Sequence, residues 1–325
     1  MSSRTRRKLL AHVRNQVRDF GLWGEQDRIL LACSGGLDSM ATAAVLEALR
    51  PSLGHELVLG HVDHGLQPNG PALAVITQWG ERAEIPVMVD RLTLKMGSDL
   101  QGRAREARYA ALQQMMEKSN ANRIVTAHHA DDQAETFLMR ASRGAGLEGL
   151  SAIRRRRGHV VRPMLTTTRT ALLDFATAQG LSWWQDPSNS DPRWTRNRIR
   201  NEVMERLQQA IPSAISGIGQ SASQMSSVQV GVEYWLRHAI GPWDKRGAAI
   251  GIALKHVPDQ IEAASLVFQL MIKDLDLVAL SSRALRQLHQ IKRDGQNCRL
   301  HGAKASIQDG ILWVEATDAD RSKSS

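Results

Sequence analysis

The run Arg28–Cys33 (RILLAC) is continuously apolar after its first residue. It passes directly into Ser34-Gly35-Gly36-Leu37-Asp38-Ser39 and then into a helical stretch, Met40–Leu49. A strand without polar alternation is buried on both faces, as an inner strand of a parallel sheet is. Parallel neighbours need crossovers, and the sequence supplies them in series. Strand-like Glu56–Val62 precedes helical Pro71–Ala83, and Val87–Leu92 precedes the long Ala-, Arg- and Met-rich Leu100–Lys118. Arg123–Ala127 precedes Asp131–Arg143, Val160–Val161 reads as a short fifth strand, and Thr168–Gln179 as a further helix. This alternation predicts an α/β fold, a doubly wound, Rossmann-like parallel sheet with right-handed crossovers. Ligands of such sheets bind outside the carboxyl ends of the strands.

The pattern changes downstream. Pro187–Pro192 (PSNSDP) is a polar loop, Arg196–Ala210 a helix, and Ser213–Val230 a Ser-, Gln- and Ala-rich stretch that reads either as a helical connector or as a linker. Beyond Trp243, Ile261–Leu275 and Ser282–Ile291 look helical. Cys298–His301, Ala305–Gln308 and Ile311–Glu315 look like short strands, with turns at Gly302 and Asp309-Gly310. The expected organisation is a catalytic domain over 1–212, a helical connector over 213–244 and a small α+β domain over 245–325, with a frayed tail from about Thr317.

The loop after the first strand carries the clearest chemistry. Two glycines let backbone approach an anion closely, and hydroxyls and N–H groups at a helix N-terminus hold phosphate oxygens. The GK[ST] ending of a Walker loop and the G-x-G-x-x-G of dinucleotide binders are both absent. Asp38 is out of place beside a phosphate unless a cation intervenes, and a Mg²⁺ shared between Asp38 and phosphate oxygens resolves the conflict. Charge points to a partner. The chain carries 33 Arg and 9 Lys against 33 acidic residues. Residues 1–100 are balanced at 11 cations and 11 anions, whereas 101–210 carry 18 and 11. A basic middle segment fits a polyanion such as nucleic acid, or simply Arg-rich solvated helix faces; charge alone leaves both open. Two cysteines, Cys33 and Cys298, exclude a disulfide framework or a four-Cys metal site within this chain and suit a reducing, cytoplasmic setting. No apolar run reaches membrane-spanning length, and the start MSSRTRRKLLAHVRNQ lacks a signal-peptide core.

SGGLDS after a buried strand resembles the PP-loop ATP pyrophosphatases, which cleave ATP between the α and β phosphates and adenylate a carbonyl oxygen. Four further stretches narrow this: His61-Val62-Asp63-His64-Gly65-Leu66; Thr126-Ala127-His128-His129-Ala130-Asp131-Asp132-Gln133-Ala134-Glu135-Thr136; Arg105-Glu106-Ala107-Arg108-Tyr109 with Arg162-Pro163; and Asp186-Pro187-Ser188-Asn189-Ser190-Asp191 followed by Arg196-Asn197-Arg198-Ile199-Arg200. Together they resemble the tRNA(Ile)-lysidine synthetase family, densely from about residue 28 to 200 and more weakly beyond 245. Many members carry a second C-terminal domain, so a short form with one is expected. The resemblance implies ATP and Mg²⁺ on Ser34, Gly35, Gly36, Leu37, Asp38 and Ser39, with Asp38 holding the metal. Arg105 and Arg108 would act on the nucleotide or RNA phosphates. Asp132 and Glu135 would hold the ammonium of free L-lysine, and His61, His64, Arg196, Asn197 and Arg200 would contact substrate. The implied partner is an isoleucine tRNA with a CAU anticodon, whose wobble cytidine is adenylated and then joined to lysine.

Plainer readings accompany these. Asp132 and Glu135 share a helical face and suit a helix N-terminus in any protein. The run Arg154–Arg157 reads equally as a tRNA contact or a solvated edge. Trp183, Trp184 and Trp194 are stacking candidates, at least one of them core. His12, His55, His159, His238, His256, His289 and His301 read as capping or packing residues. Two histidine–aspartate clusters after strands also admit a two-metal phosphoesterase, which leaves SGGLDS without a role. A PP-loop tRNA thiolase generally needs catalytic cysteines that are missing here. Amidation of a small-molecule carbonyl and a non-catalytic RNA-binding module remain alternatives, as does a homodimer.

Overall fold

Alternation along the first two strands builds the core. In β1 (Arg28–Ala32), Ile29 and Leu31 point into one apolar cluster and Leu30 into another; in β2 (Glu56–Asp63), Leu57 and Leu59 part from Val58 in the same way. A strand apolar on both faces must be covered twice, and two helical layers do this. On one face, α1 (Ser3–Asp19), α2 (Leu37–Leu53), α3 (Gly70–Arg82) and α7 (Arg169–Ala178) contribute Val13, Met40, Val45, Ile76, Leu172 and Phe175. On the other, α4 (Leu100–Lys118) contributes Leu112, Met115 and Met116.

This computed structural model describes residues 3–63, 70–92, 100–187, 191, 193–277, 281–295, 297–300 and 302–317. The chain divides into two units, 1–226 and 227–325, with the division inside the long helix α10 (Ala214–Ile240). In the first unit, β3 (Val87–Arg91), β4 (Arg123–Val125), β5 (Arg156–Arg157) and β6 (Val160–Val161) complete a sheet of order β3-β2-β1-β4-β6-β5. Its strands are parallel except β5, which returns antiparallel to β6. The doubly wound α/β architecture is therefore as expected. Short helices α5 (Ala130–Ala141), α6 (Leu147–Leu150), α8 (Thr195–Arg198) and α9 (Glu205–Ala210) follow in chain order, with a π-helical stretch, Ile199–Met204, between the last two.

In the second unit, β7 (Asp244–Arg246), β8 (Ala249–Ala253), β9 (Cys298–Leu300), β10 (Ala303–Gln308) and β11 (Ile311–Ala316) form an antiparallel sheet of order β7-β8-β11-β10-β9. Helices α11 (Ile261–Asp274) and α12 (Ser282–Asp294) share its core through Val267, Phe268, Met271, Leu285 and Leu288. The Ser-rich connector is helical throughout α10. Three strands escaped the sequence reading. β5 and β7 are exposed and charged, without alternation to mark them, and β8 is an apolar run of only five residues. Among the described residues no helix is long and apolar enough to cross a membrane.

Candidate functional site

The turn between β1 and α2 is held open by its own residues. Gly35 has φ +77°, and a Cβ there would stand 2.8 Å from the Ala72 carbonyl oxygen at the start of α3. Only glycine has both the left-handed backbone and the room. Ser39 is buried; its Oγ donates to the Gly36 carbonyl at 2.9 Å and accepts the Ser34 N–H at 3.2 Å. Its hydroxyl thus shapes the loop from inside. The Trp184 N–H donates to the Gly35 carbonyl at 2.9 Å, so this tryptophan's backbone steadies the loop. Trp183 packs against the core, and Trp194 stays exposed ahead of α8. His61, also buried, donates from Nδ1 to the Cys33 carbonyl at 2.9 Å, just before the loop. His64 and Ser188–Ser190, which the sequence singled out, and His301 lie outside the described residues.

Asp38 sits in the first turn of α2, where the unpaired N–H groups of a helix gather. Its Oδ1 is buried without a hydrogen-bond partner, 3.6 Å from Arg169 Nε. Its Oδ2 lies 3.5 Å from His129 Nε2. His129 precedes α5, and its backbone N–H donates to Asp132 Oδ2 at 3.1 Å. The buried ring faces Asp38, Asp131 and Asp132, each at 3.4–3.5 Å. Burial alone would strip its proton, but Asp131, Asp132 and Asp38 outweigh it and push the imidazole up to about 10, so it is a cation at neutral pH. The neighbouring His128 goes the other way. Burial is the main cause, the Arg162, Arg108 and Arg196 charges add to it against Asp132, and the ring falls to about 3. It is neutral, with Nδ1 2.8 Å from Thr126 Oγ1.

Asp132 and Glu135 project from the same face of α5, as their spacing predicts, and both are already paired. Arg196 reaches Asp132 Oδ1 at 2.8 Å and Glu135 Oε2 at 2.7 Å; Arg200 reaches Glu135 Oε1 at 2.6 Å and Asp132 Oδ1 at 3.2 Å. The Glu135 side chain is 1% exposed. Burial acts against the Arg200 charge, but Glu135, Asp132 and Asp38 hold it above the ordinary arginine range. Asn197, expected to face substrate, donates to the Asp191 carbonyl at 3.0 Å. Arg169 was not anticipated. It follows the Thr168 cap of α7, gives its backbone N–H to Asp131 at 2.8 Å and sends its side chain to Asp38. No local motif marks it, because its partners come from α2 and α5.

Arg105 and Arg108 make no ion pair with these carboxylates and lie over Tyr109, with guanidinium carbons 5.3 and 5.6 Å from the ring centroid, although the Arg108 charge reaches His128. The four-arginine run disperses: Arg154 pairs with Glu148 at 2.6 Å, Arg155 lies over Phe20, and Arg156 and Arg157 form exposed β5. Among the described residues no three His, Cys, Asp or Glu side chains are grouped to hold a metal by themselves. Asp38 Oδ1, buried without a hydrogen bond and only loosely ion-paired with Arg169 at 3.6 Å, fits a Mg²⁺ whose remaining ligands are phosphate oxygens and water.

A family model described as the PP-loop domain matches residues 1–207. Three similar proteins are each named tRNA(Ile)-lysidine synthase. The one from Ralstonia nicotianae is 34% identical over 312 residues, covering 91% of this chain and 66% of that protein. Those from Pseudomonas aeruginosa and Xanthomonas axonopodis pv. citri are 38% and 42% identical, covering 64% and 60% of this chain and 48% and 45% of theirs. The chain thus spans less than two thirds of the length of these relatives. Among solved structures, a U34-tRNA thiolase from Methanococcus maripaludis, determined with its 4Fe-4S cluster, aligns with a TM-score of 0.57 at 15% identity. The alignment covers 67% of this chain and 78% of that one, a likeness of fold.

Proposed function

Because the chain belongs to the PP-loop family, we propose that it is an ATP-dependent ligase. It joins L-lysine to C2 of the wobble cytidine of an isoleucine tRNA with a CAU anticodon, giving lysidine, AMP and pyrophosphate. The observation that carries this reading is the meeting of two helix starts at the carboxyl edge of the sheet. Asp38 follows the glycine loop, Asp132 and Glu135 follow β4, and protonated His129 lies between them.

ATP lies with its phosphates on the Ser34–Ser39 loop and the first turn of α2. Asp38 would hold Mg²⁺, which when bound neutralises charge on the phosphates. The cytidine O2 attacks the α-phosphorus, its bond to the pyrophosphate oxygen breaks, and the adenylated base gains a good leaving group. Lysine seats as its ε-ammonium and loses a proton to water, and the neutral amine then forms the C2–N bond as the C2–O bond to AMP breaks. Asp132 and Glu135 orient the amine end of lysine. Arg196 and Arg200 now occupy those carboxylates, so lysine exchanges one cation for another rather than entering an empty cavity. Positioning and charge neutralisation supply most of the rate. The reaction is cytoplasmic, where tRNA, ATP and free lysine meet.

The test combines the purified chain, ATP, Mg²⁺, labelled lysine and the CAU isoleucine tRNA. Lysine is expected to enter the RNA, and Asp38→Ala is expected to abolish adenylation while RNA binding is largely kept. No incorporation beside an active control enzyme overturns the reading. RNA binding should also weaken with salt, with a log–log slope of about −0.7 per single-strand phosphate neutralised.

A further inference from the structure

The first helix carries a charge pattern that the reaction above leaves unused. α1 holds six cations, Arg4, Arg6, Arg7, Lys8, Arg14 and Arg18, and a single acid, Asp19. These are six of the eleven cations in the balanced first hundred residues, so an even total conceals a basic helix. At about 3.6 residues per turn, Arg4, Arg7, Lys8, Arg14 and Arg18 fall on one side of the helix. Leu9, Val13 and Val17 fall on the opposite side and are buried in the core. Arg4, Arg7, Lys8 and Arg18 are exposed, and Arg14 is half-buried.

Nothing on the protein neutralises this row. Among the described residues no carboxylate forms an ion pair with any of the five. Arg18 gives one N–H to the Ser52 carbonyl at 2.9 Å, and Arg14 Nε is buried without a partner. Arg4, Arg6 and Arg7 crowd the positive end of the helix dipole, where no acid stands in the first turn. Arg4 with Lys8, and Arg14 with Arg18, are like-charge pairs four residues apart, which weaken a helix by themselves. Just past the end of α1, Arg155 lies over half-exposed Phe20, and its charge reaches His12 in the middle of α1.

Such a row suits a polyanion, either a lipid surface or a nucleic acid. A helix that lies in a lipid surface inserts its apolar side, and that side of α1 is already packed in the core with α2. Guanidinium forks match phosphate oxygens, and four of the five cations are arginines. From Arg4 to Arg18 the row runs ~21 Å, about six nucleotides of a paired strand at ~3.4 Å each. We propose that the outward face of α1 is a rail for the phosphate backbone of a paired RNA stem, outside the Ser34–Ser39 loop and the acid–arginine network. It rests on the reading of an RNA substrate given above and adds where the double-helical part of that RNA is held. His12 Nε2 and Thr166 Oγ1 share a hydrogen bond at 2.9 Å, which ties the rail to the segment that carries Arg169 to Asp38. Contacts of this kind position the RNA and read no bases.

Anisotropy titrations of the full chain with labelled CAU isoleucine tRNA, over a salt series, test the rail. The triple variant Arg4→Gln, Arg7→Gln, Lys8→Gln should bind about tenfold or more weakly at low salt, with the log–log salt slope lower by about two to three. Arg82→Gln, at an exposed arginine of α3, controls for net charge and should leave both unchanged. Without RNA the triple variant should melt no lower than the parent, because like-charge repulsion is relieved. Parent affinity and slope in the triple variant, an equal loss per charge in Arg82→Gln, or no RNA binding by the parent overturns the proposal. A lower melting temperature of the triple variant overturns it too, since the cations would then be satisfied within the protein. Vesicles of phosphatidylserine in phosphatidylcholine form a second arm: binding that the triple variant loses while it keeps its RNA affinity makes α1 a lipid-binding helix and overturns the rail. Lysine incorporation by the parent is scored alongside. Ligation with full RNA affinity in the triple variant overturns the rail alone, and rail-dependent RNA binding without ligation overturns the function alone.

Discussion

Removing Arg200 tests whether the acid–arginine network is a buried device or a surface decoration. The Glu135 side chain is 1% exposed and accepts Nε–H bonds from Arg196 at 2.7 Å and from Arg200 at 2.6 Å. At an effective dielectric near 20, two unit charges about 4 Å apart interact by ~4 kcal/mol, and stranding a buried charge by deleting its partner costs ~3–5 kcal/mol. Arg196 remains in Arg200→Ala, and Arg200 is itself 29% exposed, so the expected loss is about 2–3 kcal/mol. Glu135→Gln should cost a similar amount, because two guanidiniums then share Asp132. The double variant should cost less than the two singles together, with a coupling energy of about 1–3 kcal/mol. Urea unfolding of the four proteins measures this cycle. Lysine binding to the same proteins reads function: Glu135→Gln should weaken it, whereas Arg200→Ala, by removing a competing cation, should strengthen it. Additive losses below about 0.5 kcal/mol would refute the reasoning, since that is what an exposed pair is worth. Weaker lysine binding in Arg200→Ala would refute the competition.

The histidines predict opposite pH limbs. His129, raised to about 10 by its carboxylates, contributes stability that is complete below pH 6.5 and lost as pH rises towards 10; His129→Gln should flatten that alkaline limb in a pH series of urea melts. His55, buried against Trp23 and lowered to about 4, acts in reverse: its contribution is complete above pH 6.5 and lost as pH falls towards 4, by about 3 kcal/mol, and His55→Phe should remove that loss. Gly35→Ala should cost about 1–3 kcal/mol and abolish nucleotide binding, because φ +77° and the Ala72 carbonyl oxygen leave no place for a methyl group; full ATP affinity by calorimetry would contradict the loop geometry.

Legibility followed the range of the forces involved. β1, α2 and the turn between them were readable because an apolar run, two glycines and a helix start are adjacent in the chain. α5 was readable with its acidic pair, because i and i+3 share a face wherever a helix forms. β5 and β7 were not, because an exposed charged edge strand is defined by its neighbour's unpaired backbone groups rather than by its own side chains.

The sequence by itself determined the doubly wound sheet, the loop that can receive phosphate and the carboxylates beside it, since burial periodicity and turn chemistry are written in consecutive residues. Tertiary structure alone decided how those groups are charged and paired. Arg196 and Arg200 read as substrate contacts, yet folding brings them onto Asp132 and Glu135, more than sixty positions away. His128 and His129 are neighbours of one residue type, and only their surroundings make the first neutral and the second a cation. The physical reason is that charge interactions and desolvation depend on distance and burial in space, and neither is encoded in the order of residues along the chain.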